Sequence, residues 1–242
     1  MLQPHLRINN GDISRNCIIA GEPERVLRIA SMLKDSKKVS DNRGYVVYNG
    51  SYEGIPLTIA CTGIGGPSAA IALEELINAG AKTIIRVGSG ALLRKEMNTG
   101  DAVISTGVCK EEKGTLAYAP EGFAAVPDYE VLNALIESAK ESGRKFFYGV
   151  TMCTDGFYAP SHRGKMLEWA KMGVIGSDME SSMLFTIASL RGVRAGFIYY
   201  GGLNILKKQT HKDILKQEKE RRMGESGVVL IALNAFRKLE RR

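Results

Sequence analysis

The block Cys61–Leu76 constrains the fold of this chain more than any other part of the sequence. Three glycines follow the apolar stretch Ile55–Cys61, and Pro67 then opens a run with apolar residues at helical spacing. Glycine lets the backbone approach a neighbouring group closely, and proline suits the first turn of a helix. The block therefore predicts a strand, a tight turn and a helix in succession, and free N–H groups at that helix start could face a ligand.

Strand-like and helical patterns alternate along the rest of the chain. Apolar, β-rich runs predict strands at Cys17–Ala20, Tyr45–Tyr48, Leu57–Cys61, Thr83–Val87, Ala102–Ser105, Phe146–Met152 and Arg194–Tyr200. Helical spacing predicts helices at Glu24–Leu33, Ser68–Ala79, Tyr129–Ser142, Ser161–Met172, Met179–Leu190 and His211–Leu239. This alternation is typical of an α/β fold. Because no repeat or linker-like segment divides the sequence, we expect a single domain over residues 1–242.

Composition and charge exclude several classes of function. The chain carries 33 Lys and Arg against 26 Asp and Glu, a net charge of +7. The basic residues are interspersed with acidic ones and form no strip with aromatic residues, so we expect no nucleic-acid partner. A positive field of this size can instead attract small anionic substrates.

Metal binding and membrane insertion are also not expected. The four cysteines form no Cys-x-x-Cys pair and none clusters with the three histidines, so we predict buried thiols and no metal centre. No run of about 18 apolar residues is present, which argues against a membrane span. The polar stretch Met1–Asn10 lacks the apolar segment of a secretory signal, and we therefore expect a cytoplasmic protein.

Two segments are candidates for an anion site. Gly21 and Arg25 lie at the start of the first predicted helix, where backbone N–H groups and a guanidinium can bind phosphate. Arg86 ends an apolar strand and precedes a Gly-Ser-Gly turn, and ligands of α/β sheets bind beyond the carboxyl ends of strands. The alternatives are that Arg25 is solvated and that Arg86 pairs with a carboxylate elsewhere.

Two further segments are candidates for binding a sugar and a flat ring. Glu180 leads into the apolar stretch Met183–Phe185, and a buried carboxylate needs donors such as vicinal sugar hydroxyls. Just before it, Ser177 or Asp178 could simply cap the helix. The segment Asp155–Arg163 combines two aromatic side chains with arginine, which suits a planar heterocycle, although the segment taken alone favours a capped surface loop.

Six segments in order resemble the nucleoside phosphorylase family that includes uridine phosphorylase and the hexameric purine nucleoside phosphorylases. They are Gly21–Arg25, Asn42–Tyr45, Thr62–Leu76, Arg86–Ala91, Thr154–Arg163 and Asp178–Ser181. The resemblance implies a three-layer α/β/α sandwich around a mixed, partly barrel-like sheet. It also implies a homo-oligomer, commonly a hexamer built from dimers that share their sites. The implied reaction is phosphorolysis of a nucleoside, with uridine favoured, to the free base and ribose 1-phosphate, without a cofactor beyond the co-substrate phosphate.

The resemblance assigns roles to individual residues. Phosphate would be bound by Gly21, Arg25, Arg86 and Ser89, with Arg43 reaching in from a neighbouring subunit. Ribose would be bound by Met179 and Glu180, with His5 of the neighbour at the 5′-hydroxyl. The base would meet Gly90, Phe157, Ser161 and Arg163. Of these residues, Arg86 and Glu180 are the expected catalytic ones.

The chain departs from the family pattern in three places. Ser161 stands where uridine enzymes carry a glutamine, and the Arg86–Ala91 turn is one residue shorter than usual. The segment Gly201–Ile205 lacks both the aspartate of purine-cleaving relatives and the arginine of uridine enzymes. A purine nucleoside or methylthioadenosine phosphorylase and a non-catalytic nucleoside-binding protein therefore stay open as alternatives. A nucleosidase is disfavoured, because cleavage with water needs no phosphate-binding arginines.

Overall fold

The computed structural model describes residues 1–207 and 217–240, and this part of the chain contains nine strands and six α-helices. The strands are β1 (Asn16–Ala20), β2 (Lys34–Asn42), β3 (Tyr45–Tyr52), β4 (Ile55–Cys61), β5 (Thr83–Leu92), β6 (Ala102–Lys110), β7 (Phe146–Cys153), β8 (Gly176–Asp178) and β9 (Arg194–Asn204). The helices are α1 (Pro23–Ala30), α2 (Gly66–Ala79), α3 (Tyr129–Glu141), α4 (His162–Lys171), α5 (Ser181–Arg191) and α6 (Glu218–Glu240). A short 3₁₀ helix covers Gly114–Ala117.

All nine strands form one mixed sheet in the order β2-β3-β4-β1-β5-β8-β7-β6-β9. Strand β9 also pairs with β5, so that β5, β8, β7, β6 and β9 close into a barrel while β2, β3, β4 and β1 extend from it. The expected mixed, partly barrel-like sheet is therefore confirmed. Within the described ranges, no helix combines the length and the apolar character needed to cross a bilayer.

Strand β5 joins the open and closed parts of the sheet. Its first residues pair in parallel with β1, its whole length follows β9, and its last two residues pair antiparallel with β8. Opposite Gly90 and Ala91 the register shifts from Gly201 to Leu203, so Gly202 bulges out of the ladder. The polar segment Arg86–Gly90 consequently lies between the part of β5 that pairs with β1 and the part that pairs with β8.

Helices cover both faces of the sheet, as the period-two alternation of side chains requires. Cys17 and Ile19 of β1 pack into an apolar layer shared with α2 and α5. Ile18 and Ala20 of the same strand point to the other face, where α1, α3 and α6 form a second apolar layer. The three-layer α/β/α arrangement is thereby confirmed.

The seven strands predicted from sequence are all present, and two others were missed. Strand β2 is mostly exposed and charged, and β8 has only three residues, so neither carries the apolar run that predicts a strand. Helix α5 begins at Ser181 rather than Met179, which leaves Glu180 in a non-helical conformation. The start of the predicted C-terminal helix falls on residues 208–216, which lie outside the described residues.

Candidate functional site

A buried cluster of one arginine and two carboxylates lies at the middle of the sheet. Arg86, Asp178 and Glu180 have exposed fractions of 3, 5 and 4%. Arg86 Nη2 donates a hydrogen bond to Glu180 Oε2, and Arg86 Nε lies 3.5 Å from Asp178 Oδ2. Arg86 therefore does pair with carboxylates, as one of its two interpretations from sequence predicts. Nevertheless, Arg86 Nε and Nη1 are buried without a hydrogen-bond acceptor among the described residues.

Bare backbone lies next to the unpaired side of this guanidinium. Gly21 follows β1, and Ile19 of that strand is the register partner of Arg86 on β5. A Cβ atom added to Gly21 would lie 3.9 Å from Arg86 Nη1 and 3.5 Å from the carbonyl oxygen of Gly63. Since buried donors require an acceptor, an anion bound between Gly21 and Arg86 would satisfy this arginine.

The glycine-rich turn binds Glu180 directly. The N–H of Gly65 donates to Glu180 Oε1 at 2.6 Å, so this turn faces a carboxylate of the chain itself. Gly63 and Gly65 have φ angles of +66° and +90°, which other residues rarely adopt. The Ser68 hydroxyl donates to the Thr62 carbonyl at 2.6 Å and closes the turn. The turn thus holds the position of Glu180.

Asp178 organises the segment that carries Glu180. Its carboxylate accepts the N–H groups of Glu180 and Ser181, at 3.2 and 3.0 Å, and the hydroxyl of Ser181. Asp178 thus binds the N–H groups just before and at the start of α5, although the N-cap position itself is Glu180. Burial raises the pKa of Asp178 to about 6. The positive charge of Arg86 opposes this rise, and the negative charge of Glu180 adds to it. A single guanidinium thus serves two buried carboxylates.

Arg25 is buried and bound on two sides, so the alternative of a solvated arginine is wrong. Its exposed fraction is 6%, and its Nε donates to Glu225 Oε2 of α6 at 2.9 Å. Its Nη2 donates to the hydroxyl of Tyr200 at 3.3 Å, and its guanidinium carbon lies 5.5 Å from the centre of that ring. Both partners come from elements far along the chain.

The residues expected near a base lie in the loop after β7 and beside the end of β9. Phe157 is 59% exposed and Ser161 is also exposed. Arg163, in the first turn of α4, donates from Nη2 to the carbonyl oxygen of Ile205 at 3.0 Å, which joins the start of α4 to the chain just beyond β9. Ser89 is exposed and Gly90 half-buried on β5, while Met179 is half-buried beside Glu180.

His5 and Arg43 lie together, apart from this cluster. Glu75 of α2 accepts the N–H of His5 at 3.0 Å and contacts its ring nitrogen Nδ1 at 2.7 Å. Asn42 donates to the carbonyl oxygen of His5 at 2.7 Å, and the exposed Arg43 follows in the turn between β2 and β3. No hydrogen bond in the described part of the chain links His5 or Arg43 to Arg86 or Glu180.

The described residues include no group of three or more His, Cys, Asp or Glu side chains placed to hold a metal ion. The cysteines are free, and Cys17, Cys61 and Cys153 are buried.

A family model for the phosphorylase superfamily matches residues 15–229. The chain belongs to this superfamily.

Several known phosphorylases resemble the chain over most of its length. It is 40% identical to a guanosine phosphorylase of Halorubrum lacusprofundi over 81% of both chains. It is 32% identical to the uridine phosphorylase of Escherichia coli over 97% of both chains. A crystal structure of uridine phosphorylase from Vibrio fischeri, complexed with 6-hydroxy-1-naphthoic acid, superposes with a TM-score of 0.93 at 32% identity and covers 98% of this chain and 96% of that one.

Sequence reasoning missed the residues that support the candidate phosphorylase site. Glu225 and Tyr200 hold Arg25, and Glu75 holds His5. The signal for Glu225 is its place just before the apolar stretch of the last helix, where a carboxylate close to the core needs a cation. Tyr200 and Glu75 carry no such signal, because each acts through an ordinary hydrogen bond between distant segments.

Proposed function

We propose that the protein is a nucleoside phosphorylase that cleaves uridine with inorganic phosphate to uracil and ribose 1-phosphate. The observation that carries the proposal is the buried Arg86, whose Nη1 has no acceptor among the described residues and lies beside the bare backbone of Gly21 while its Nη2 contacts Glu180. The named activities of the relatives agree with it. Phosphate is the co-substrate, and the reaction needs no other cofactor.

The proposed chemistry follows from charge development in the ribose. As the bond between C1′ and the base breaks, the ring gains positive charge and the base takes the bonding electrons. Arg86, Gly21 and Arg25 would hold phosphate so that one of its oxygens forms the new bond to C1′, a proximity effect. Glu180 would accept hydrogen bonds from the 2′- and 3′-hydroxyls and favour the charged ring, as in other glycosyl transfers.

Donors around the base would stabilise its developing negative charge. Arg163 is the strongest candidate donor, and its contact with the Ile205 carbonyl already fixes the guanidinium at the end of β9. Phe157 would border the ring, and Ser161 would contribute a hydroxyl of short reach. In this arrangement Arg163 meets a uracil carbonyl oxygen.

Guanosine is the second candidate substrate. Near the ends of β5 and β9, Gly90 pairs with Gly201 and Gly202 bulges out of the ladder. A Cβ added to Gly202 would meet only the carbonyl of Gly90, at 3.7 Å. Gly90 and Gly201 themselves are tightly packed, against Tyr199 and Leu92, so the open surface is confined to Gly202. The guanosine phosphorylase relative supports guanosine as a substrate.

A neighbouring copy would complete the site. Arg43 and His5 share one surface patch, held together by Asn42 and Glu75, and could act as a unit on a second subunit. We infer a homo-oligomer, a hexamer built from dimers, working in cytoplasmic nucleoside salvage. Light scattering should give six times the mass of the 26.4 kDa chain, and a monomeric mass for the active protein would contradict shared sites.

The decisive assay measures base release from uridine, guanosine, inosine and adenosine, each with and without phosphate. We expect release only with phosphate, and the highest kcat/KM with uridine. Release that is independent of phosphate would contradict phosphorolysis. Guanosine exceeding uridine would reverse the order of the two candidates, and binding of nucleosides without release would leave only the non-catalytic alternative.

A further inference from the structure

Two of the three nitrogens of the Arg25 guanidinium are bound by other residues. Its Nε bonds to Glu225 at 2.9 Å, and its Nη2 bonds to Tyr200 and lies 3.5 Å from Glu22. No acceptor among the described residues bonds to Nη1. Because a guanidinium is planar and rigid, fixing its Nε edge also fixes the direction in which Nη1 donates.

Glu225 is suited to this task. Its side chain is 12% exposed, and it bonds to Arg28 as well as Arg25, through Arg28 Nε at 2.5 Å and Nη2 at 3.0 Å. Burial by itself raises the pKa of Glu225. The hydrogen bonds from Arg28 and Arg25 lower the pKa by more than burial raises it, so the pKa lies below its usual value. The carboxylate is therefore charged at neutral pH and held from two sides.

Arg25 thus depends on two elements that flank the connection to the last helix. Tyr200 lies on β9, whose end borders the proposed base site, and Glu225 lies on α6. We propose that Glu225 is a positioning residue, which aims Arg25 at phosphate and makes docking of α6 a condition for tight phosphate binding. This inference rests on the proposed phosphate role of Arg25.

Geometry and charge predict opposite effects when Glu225 is neutralised. Removing a negative charge near the site should by itself attract phosphate more strongly. Releasing the Nε edge should weaken binding, because Arg25 then has to be ordered by the phosphate itself. The Glu225→Gln variant therefore distinguishes the electrostatic effect from the positioning effect. We expect phosphate binding to weaken about tenfold, as for other supporting residues of binding sites.

The experiment measures phosphate binding by calorimetry and, separately, KM for phosphate and for uridine. The variants are Glu225→Gln, Glu225→Asp, Arg25→Ala and the Arg25→Ala, Glu225→Gln double variant. Glu74→Gln is the matched control, because Glu74 forms an exposed ion pair with Arg191. Thermal unfolding of each variant identifies any loss of folded protein, and Glu225→Asp serves if the glutamine variant does not fold.

We expect Glu225→Gln to raise KM for phosphate about tenfold, with KM for uridine and kcat changed by less than about twofold. Glu225→Asp should fall in between, because it keeps the charge but not the reach. In the Arg25→Ala background the second substitution should change nothing further. Unchanged or tighter phosphate binding, equal effects on both KM values, or additive effects in the double variant would overturn the inference. The calorimetric measurement stands even if the wild type cleaves no nucleoside, which would contradict the proposed function alone.

Discussion

Replacing Glu180 with glutamine is expected to lower kcat/KM for nucleoside phosphorolysis by about 100- to 1,000-fold. Glutamine has nearly the same volume and can still accept the N–H of Gly65. It cannot supply the negative charge that favours a positively charged ribose, and it loses the ion pair with Arg86. The loss should fall mainly on kcat, because the charge of the ring develops only as the glycosidic bond breaks.

Steady-state kinetics at saturating phosphate test this expectation. Glu74→Gln is again the control, since it makes the same chemical change on an exposed helix surface. Circular dichroism should show that Glu180→Gln is folded, so that the loss is one of chemistry. Turnover within about threefold of the wild type would remove Glu180 from the proposed mechanism.

Replacing Gly176 with alanine is expected to lower the free energy of unfolding by about 3 kcal/mol or more. A Cβ atom at this position would overlap the hydroxyl of the fully buried Tyr199 and lie 2.7 Å from the carbonyl oxygen of Ala91. Gly176 begins β8, the short strand that closes the barrel beside β5. Backbone and ring would both have to move, in a region that also carries Asp178 and Glu180.

The Tyr199→Phe variant tests whether overlap with Tyr199 causes the loss of stability in Gly176→Ala. Removing the hydroxyl costs its hydrogen bond to Ala91, which is 3.3 Å long and worth about 1 kcal/mol. It also removes the nearest atom to the new methyl group. Urea denaturation of both single variants and the double variant should show Gly176→Ala costing at least about 1 kcal/mol less in the phenylalanine background. Equal costs in the two backgrounds would show that the ring does not cause the loss.

The sequence predicted those elements that carry an apolar signal. The run Leu57–Cys61 and the glycine turn after it are continuous in sequence, so local rules were enough to place a strand, a turn and α2. Strand β2 had no such signal, because it pairs with β3 through backbone hydrogen bonds while its side chains face water. The three residues of β8 are likewise too few to show a period.

For the site, sequence reasoning identified the individual groups better than their contacts. It singled out Arg86 and Glu180, and the structure brings them together, although their roles stay predictions. It did not foresee that Arg25 bonds to Glu225, because that pair depends on how α1 and α6 pack over the same face of the sheet. Pairs of this kind are set by tertiary packing, which no local pattern encodes.

Closure of the barrel has a consequence for aggregation. With β9 joined to β5, the described part of the sheet ends at one outer strand, β2. That strand exposes Lys34, Lys37 and Lys38 and pairs with β3 through two register shifts. Charged, irregular edges repel further strands. The chain should therefore resist growth into fibrils by strand addition at β2.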